Sequence, residues 1–257
     1  MKPSQEAKIA CLELYEPINT LKPVADDVWI VDGPEISMGY LWLFSLPFTT
    51  RMTVIRLPDG GLWLHSPTPL DEGLRKEINA LGPVSHIVAP NRIHYWWVGD
   101  WKQAYPEAHT YAAPKVAQEA ARAGRFNGFD KELTDTPPAA WAGIIDQQVV
   151  PGSYLSEAVF FHRPSRTLVL TDLIENFEPD KVTCGWLKPM LKIGGVADPN
   201  GTMPRDLRLT FLAQRKELRT AVQKMIDWNP ERLLLAHGRW YAEGAVGELR
   251  RAFHWVL

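Results

Sequence analysis

A chain of 257 residues with 46% hydrophobic and 23% charged residues holds enough apolar material for one large α/β domain or two small ones, and needs no disulfide or metal to complete its core. The formal net charge of -2 and a pI near 6.4 leave no broad basic field, which excludes nucleic-acid binding by phosphate neutralisation and leaves a small-molecule substrate or ligand open. Cys11 and Cys184 stand far apart, without a CxxC or Cys/His cluster, and read as two buried thiols. Met1 to Leu14 mixes Lys and Glu without an apolar core, so neither a signal peptide nor a membrane span is expected, and the cytoplasm is the expected compartment.

In chain order, Asp27 to Val31 reads as a first strand, followed by a hairpin of Met52 to Leu57 and Leu62 to His65 around the turn Pro58-Asp-Gly-Gly61. Leu70 to Leu81 has helical periodicity, with Thr68 or Asp71 as N-cap and Gly82-Pro83 as the stop. Val84 to Ala89 is a buried strand ended by Pro90. Trp101 to Tyr105 reads as a short helix capped by Asp100, His109 to Ala112 as a strand, and Pro114 to Ala123 as a helix. A second hairpin pairs Ala158 to Phe161 with Thr167 to Leu170 across Pro164-Ser-Arg166. Glu175 to Arg205 is rich in Pro, Gly and Asp and reads as an insertion carrying one apolar piece, Trp186 to Ile193. Leu207 to Trp228 is an amphipathic helix, Leu233 to Ala236 the last strand, and Ala242 to Trp255 a terminal helix. Alternation of this kind argues for sheets covered by helices.

His65, His94, Asp172 and His237 share one feature: each lies where a predicted strand ends, the place where ligand-binding residues collect in α/β proteins. Imidazoles and carboxylates are natural ligands of zinc, iron and manganese, although a lone histidine is usually structural.

The order of these elements resembles the metallo-β-lactamase superfamily: a hairpin, a helix, a strand with a histidine-bearing loop, a second hairpin ending in Thr171-Asp172, and a last strand ending in Ala236-His237-Gly238. The resemblance implies a four-layer αββα sandwich over one domain, residues 1–257, with an insertion at about 175–205. It also implies that His65 stands where the family has an Asp, that Ala89, Asn91 and Ile93 replace the first members of the histidine loop, and that Ser153 replaces a later metal-binding histidine. His94, Asp172 and His237 would then remain as the ligands of a single divalent metal, zinc, iron or manganese, with His94 and Asp172 at the chemistry; a site holding no metal is equally open. More narrowly, Ser66-Pro67, Ala89-Pro-Asn91 with His94, Trp101, Phe160 to Ser165 and Leu170-Thr-Asp172-Leu resemble the group called domain of unknown function 4336.

Further candidates surround that set. His65 reads as a third nitrogen ligand or a hydrogen-bonding stand-in for the Asp, Asn91 as a ligand contact or an Asx-turn, and Glu157 as a base within reach of the pocket. Trp96 and Trp97, with Tyr40, Trp42 and Phe44 in the segment Met38 to Phe48, read as an apolar pocket wall, a partner surface or core. His86 and His162 read as structural. Ser153 has no Gly-x-Ser-x-Gly elbow, which excludes a nucleophile-elbow triad. The leading expectation is a mononuclear metal-dependent hydrolase. The alternatives are a non-catalytic small-molecule binder on the same fold and an oligomeric interaction protein that uses the aromatic segment.

Overall fold

Short β-rich runs separated by Gly and Pro turns order themselves into two sheets in the computed structural model, which describes residues 10–40 and 44–257. The first sheet runs β1 (Lys22–Ala25), β2 (Val28–Tyr40), β3 (Phe44–Arg56), β4 (Leu62–His65), β5 (Val84–Ala89), β6 (His109–Ala112) and β7 (Lys131–Glu132), neighbours in that order. Its first half is antiparallel. From β4 onward it is parallel, because α1 (Glu72–Leu81) and α2 (Val98–Ala104) carry the chain back between strands. The second sheet has the order β11 (Arg232–Leu234), β10 (Thr167–Val169), β9 (Glu157–His162), β8 (Ile145–Val150), with β10 and β11 parallel.

Strand periodicity explains the layering. In β9, Ala158 and Phe160 join the core shared with the first sheet, while Val159 and Phe161 face the opposite way, toward α6 (Arg215–Asp227) and α7 (Ala245–Ala252). Leu74 and Ile78 of α1 and Val116 and Ala120 of α3 (Val116–Arg122) pack on the first sheet. The result is the expected helix-sheet-sheet-helix sandwich. A third, smaller apolar cluster joins Cys11 and Leu12 to Phe177, Val182 and to Leu187 and Leu191 of α4 (Leu187–Gly194), which occupies the apolar piece expected within residues 175–205.

Several expectations are corrected. The first strand does not stop at Val31: β2 continues to Tyr40 after a register break between Gly33 and Ile36, and pairs with β3 down to Tyr40 opposite Phe44. Of the segment Met38 to Phe48, the described parts are thus the paired ends of β2 and β3; Trp42 lies outside the described residues, as do the side chains of Tyr40 and Phe44. The helix expected over 207–228 is two, α5 (Arg205–Thr210) and α6, because the chain turns to bury Phe211 completely against Gly152, where an added Cβ would lie 2.8 Å from the Phe211 ring. Asp71, not Thr68, caps α1, accepting from the Leu74 amide at 2.8 Å. Asp100 sits inside α2, whose N-cap position is Trp97.

The cysteines are not free thiols. Cys11 and Cys184 form a disulfide with Cα atoms 4.9 Å apart, across a separation of 173 residues that no spacing rule could have bridged. Disulfides persist in oxidising compartments, so the cysteines lend no support to the cytoplasmic expectation. No helix among the described residues is long and apolar enough to cross a membrane. At the outer side of β11, Leu233 and Tyr241 exchange both backbone hydrogen bonds, each 2.9 Å.

Candidate metal centre

Three of the strand-end residues converge. His94 follows β5, Asp172 follows β10 and His237 follows β11, so the ends of strands from both sheets deliver them to one place. The His94 and His237 Nε2 atoms are 3.2 Å apart. Asp172 Oδ1 lies 3.2 Å from His237 Nε2 and 3.3 Å from His94 Nε2. Among the described residues this is the group whose nitrogen and oxygen donors could hold a metal ion.

The donors are pre-aimed. His237 donates Nδ1–H to the Thr49 carbonyl at 2.6 Å, which leaves Nε2 with its lone pair toward the cluster. His94 Nδ1 is engaged by Ser66 Oγ at 2.6 Å. A tetrahedral ion with bonds of about 2.0–2.1 Å separates its donors by roughly 3.3–3.4 Å, so spacings of 3.2–3.3 Å fit such an ion. Two imidazoles and one carboxylate, each fixed by a group behind it, suit zinc, iron or manganese.

Asn91 and Glu157 stand behind Asp172. The Asn91 amide donates to Asp172 Oδ2 and, at 2.8 Å, to Thr171 Oγ1, while its Oδ1 accepts from the Ile93 and His94 amides at 2.9 and 3.1 Å. Asn91 thus makes the Asx-turn, and its amide is bonded to the site's own carboxylate. Glu157 is fully buried and accepts from the Thr171 and Asp172 amides at 2.7 and 2.8 Å. Burial, reinforced by the Asp172 charge, pushes its carboxyl up to about 7. Burial also acts to raise the Asp172 carboxyl, but the His94 and His237 imidazoles outweigh it and hold this group well below the usual carboxylate range.

Other candidates fall outside the cluster. His65 is buried between the Trp63 and Phe160 rings, and burial together with the His94 charge pulls it down to about 3. Its Nε2 has no hydrogen-bond partner, so that nitrogen does not act as the expected polar stand-in. Trp96 lines a small cleft beside His94, His237 and Trp97, with the Arg125 guanidinium 4.7 Å over its ring. Ser153 faces away, its hydroxyl on the Thr210 carbonyl at 2.5 Å. His162 bonds Ser165 at 2.7 Å and closes the second hairpin.

Sequence reasoning missed Arg51 and Glu175. Arg51, buried on β3, pairs with Asp32 at 2.7 Å and donates to the Leu235 and Gly238 carbonyls at 2.7 and 2.8 Å, clamping the turn that carries His237. Glu175 lines a cavity of 510 Å³ that also reaches Asp172 and His237; burial pushes its carboxyl up to about 8.

The family model described as domain of unknown function (DUF4336) matches residues 26–203. No curated protein matches the sequence. Among solved structures, the chain is similar to the DIM-1 metallo-β-lactamase exposed to ceftazidime, at 10% identity and a TM-score of 0.62 over 96% of this chain and 98% of that one. A metallo-β-lactamase from Pontibacter korlensis superposes at 13% identity and a TM-score of 0.60, covering 92% and 98% of the two chains. The FIM-1 enzyme from Pseudomonas aeruginosa in its mono-zinc form does so at 13% identity and 0.58, covering 93% and 96%. At these identities the likeness shows the fold.

Proposed function

The chain belongs to the DUF4336 family on a metallo-β-lactamase fold, and from that premise we propose a mononuclear metal-dependent hydrolase in which His94, Asp172 and His237 hold one divalent ion. The observation that carries the reading is the set of three donors spaced 3.2–3.3 Å apart with their outer atoms already engaged. A divalent cation bound there supplies Lewis acidity, polarising a carbonyl and acidifying water toward a pKa of about 7. Support for one ion, not two, comes from the replaced loop: Ala89 and Ile93 offer no donor atom, and Asn91 spends its amide on Asp172. The mono-zinc form of the FIM-1 relative gives a precedent on the same fold.

The protein's own groups have distinct parts in this scheme. Thr49 and Ser66 fix the two imidazoles, and Asn91 with the Glu157-anchored backbone fixes Asp172. Asp172 stays ionised at neutral pH, so it orients and neutralises charge instead of donating a proton. We read residues 1–257 as one domain, with 175–205 as an insertion that walls the site.

Metal analysis of protein expressed with zinc, iron and manganese tests the assignment. Wild type binds about one ion per chain, and His94→Ala and His237→Ala each lose it; wild type without stoichiometric metal ends the proposal. The non-catalytic reading draws on the apolar cavity and calls for ligand stabilisation in the presence of chelator.

A further inference from the structure

The cavity next to the three donors has a chemistry of its own. Its volume, 510 Å³, falls in the range of roughly 300–1,000 Å³ typical of small-molecule sites. Met38, Leu46 and Phe48 from β2 and β3 and Leu187 and Leu191 of α4 line it, and so do Asp172 and His237 of the donor cluster. An apolar chamber is thus continuous with a polar catalytic corner. At the mouth, Ile193 and Tyr154 line the cavity yet stay 69% and 53% exposed, so apolar surface runs from solvent inward.

Charge narrows the ligand further. The acidic and basic side chains of the lining, besides His237 and the Tyr154 phenol, are the carboxyls of Asp172, Glu175 and Asp206 and the guanidinium of Arg205. Asp172 is already committed to His94, His237 and Asn91. Asp206 offsets the neighbouring Arg205, so the side chains of the lining carry no surplus of positive charge to cradle an anionic head group. The walls are held in place by the third apolar cluster, against which Cys184 of the disulfide packs.

We propose that this cavity is an acyl-binding site: it takes the uncharged, apolar acyl chain of a carboxylic ester and brings the ester carbonyl to the His94, Asp172 and His237 corner. The assignment of the reaction rests on the hydrolytic reading above, whereas the recognition of the chain does not. In the reaction the acyl carbon–oxygen bond of the ester breaks and a carbon–oxygen bond to water forms. The water proton passes to the departing alcohol oxygen, giving an acid and an alcohol with no change of oxidation state.

Two series of compounds separate recognition from catalysis. Straight-chain primary amides from butanamide to octanamide, titrated calorimetrically into chelator-treated protein, read the cavity alone. Affinity rises about fourfold per carbon, the equivalent of about 0.8 kcal/mol per buried methylene. Met190→Glu, which places a carboxylate in the α4 wall, lowers octanamide affinity at least tenfold. Ile193→Glu, at an exposed position that cannot unfold the core, lowers it severalfold. The 4-nitrophenyl esters from acetate to octanoate, with zinc-loaded protein, read catalysis, and kcat/KM climbs with chain length. A rising amide series with no ester hydrolysis upholds the acyl site and overturns the hydrolytic reading. A flat amide series overturns the acyl site, whatever the esters do.

Discussion

Asn91 shows how much of the site hangs on one amide. It joins Asp172, Thr171 and the backbone after β5, so Asn91→Ala removes buried partners on several sides. The expected cost is about 1–3 kcal/mol in urea unfolding. Zinc affinity should fall about 10–100-fold in chelator competition, as for other groups that orient a ligand; unchanged affinity would remove Asn91 from any orienting role. Glu175 is expected to act through pH. Its folded pKa of about 8 lies above the ordinary 4.5, so its contribution to stability is full below pH 4.5 and is lost as pH rises through about 8. Buried His65, His86 and His162, all shifted downward by burial, work in the opposite sense below pH 6.5, so only a comparison with Glu175→Gln isolates the effect. The variant's advantage in melting temperature should grow from pH 4.5 to 8 and then level off, and a constant difference would refute the assignment. At this scale His94, Asp172 and His237 were legible in the sequence because each follows a recognisable strand. Ser66, Thr49 and Arg51 were not, because their meaning lies in contacts with groups 28 to 188 residues away.

Among the elements, the turn after β11 is the most constrained. Gly238 has φ +80°, and a Cβ there would lie 2.0 Å from the Asn176 carbonyl oxygen, while Arg51 holds its own carbonyl. Gly238→Ala must therefore displace the turn bearing His237. Loss of at least 2 kcal/mol in stability is the expected result. Bound metal should be lost with it, and a variant that melts and binds zinc like wild type would contradict the geometry. Arg51→Met removes one partner of a buried ion pair and both carbonyl clamps, with an expected cost of about 3–5 kcal/mol by chemical denaturation. Short apolar strands bounded by turn residues, such as β4, β5 and β9, were readable as such in the sequence. β8 was hidden because its buried Gln147 and Gln148 look like surface residues until Trp141, Thr134 and Ala221 are seen to satisfy them. The break between α5 and α6 was equally hidden, since only the core position of Phe211 requires it.

For the molecule as a whole, the order of hairpins and helices carried the fold, whereas the bond between Cys11 and Cys184 could be seen only once both ends were in place. It ties the N-terminal segment to the α4 side of the cavity. Reduction, or Cys11→Ser with Cys184→Ser, should lower stability by about 2–4 kcal/mol. Reductant should leave the double variant unchanged; equal melting of oxidised and reduced wild type would remove the bridge from the account. The bridge between Leu233 and Tyr241 has a consequence of another kind. Leu233 is paired with Leu168 on one flank and with Tyr241 on the other, so the border strand of the smaller sheet has spent its hydrogen-bonding groups there. A foreign strand arriving at that border meets no vacant donors or acceptors at Leu233, and fibril-like stacking of sandwiches through it is denied its template.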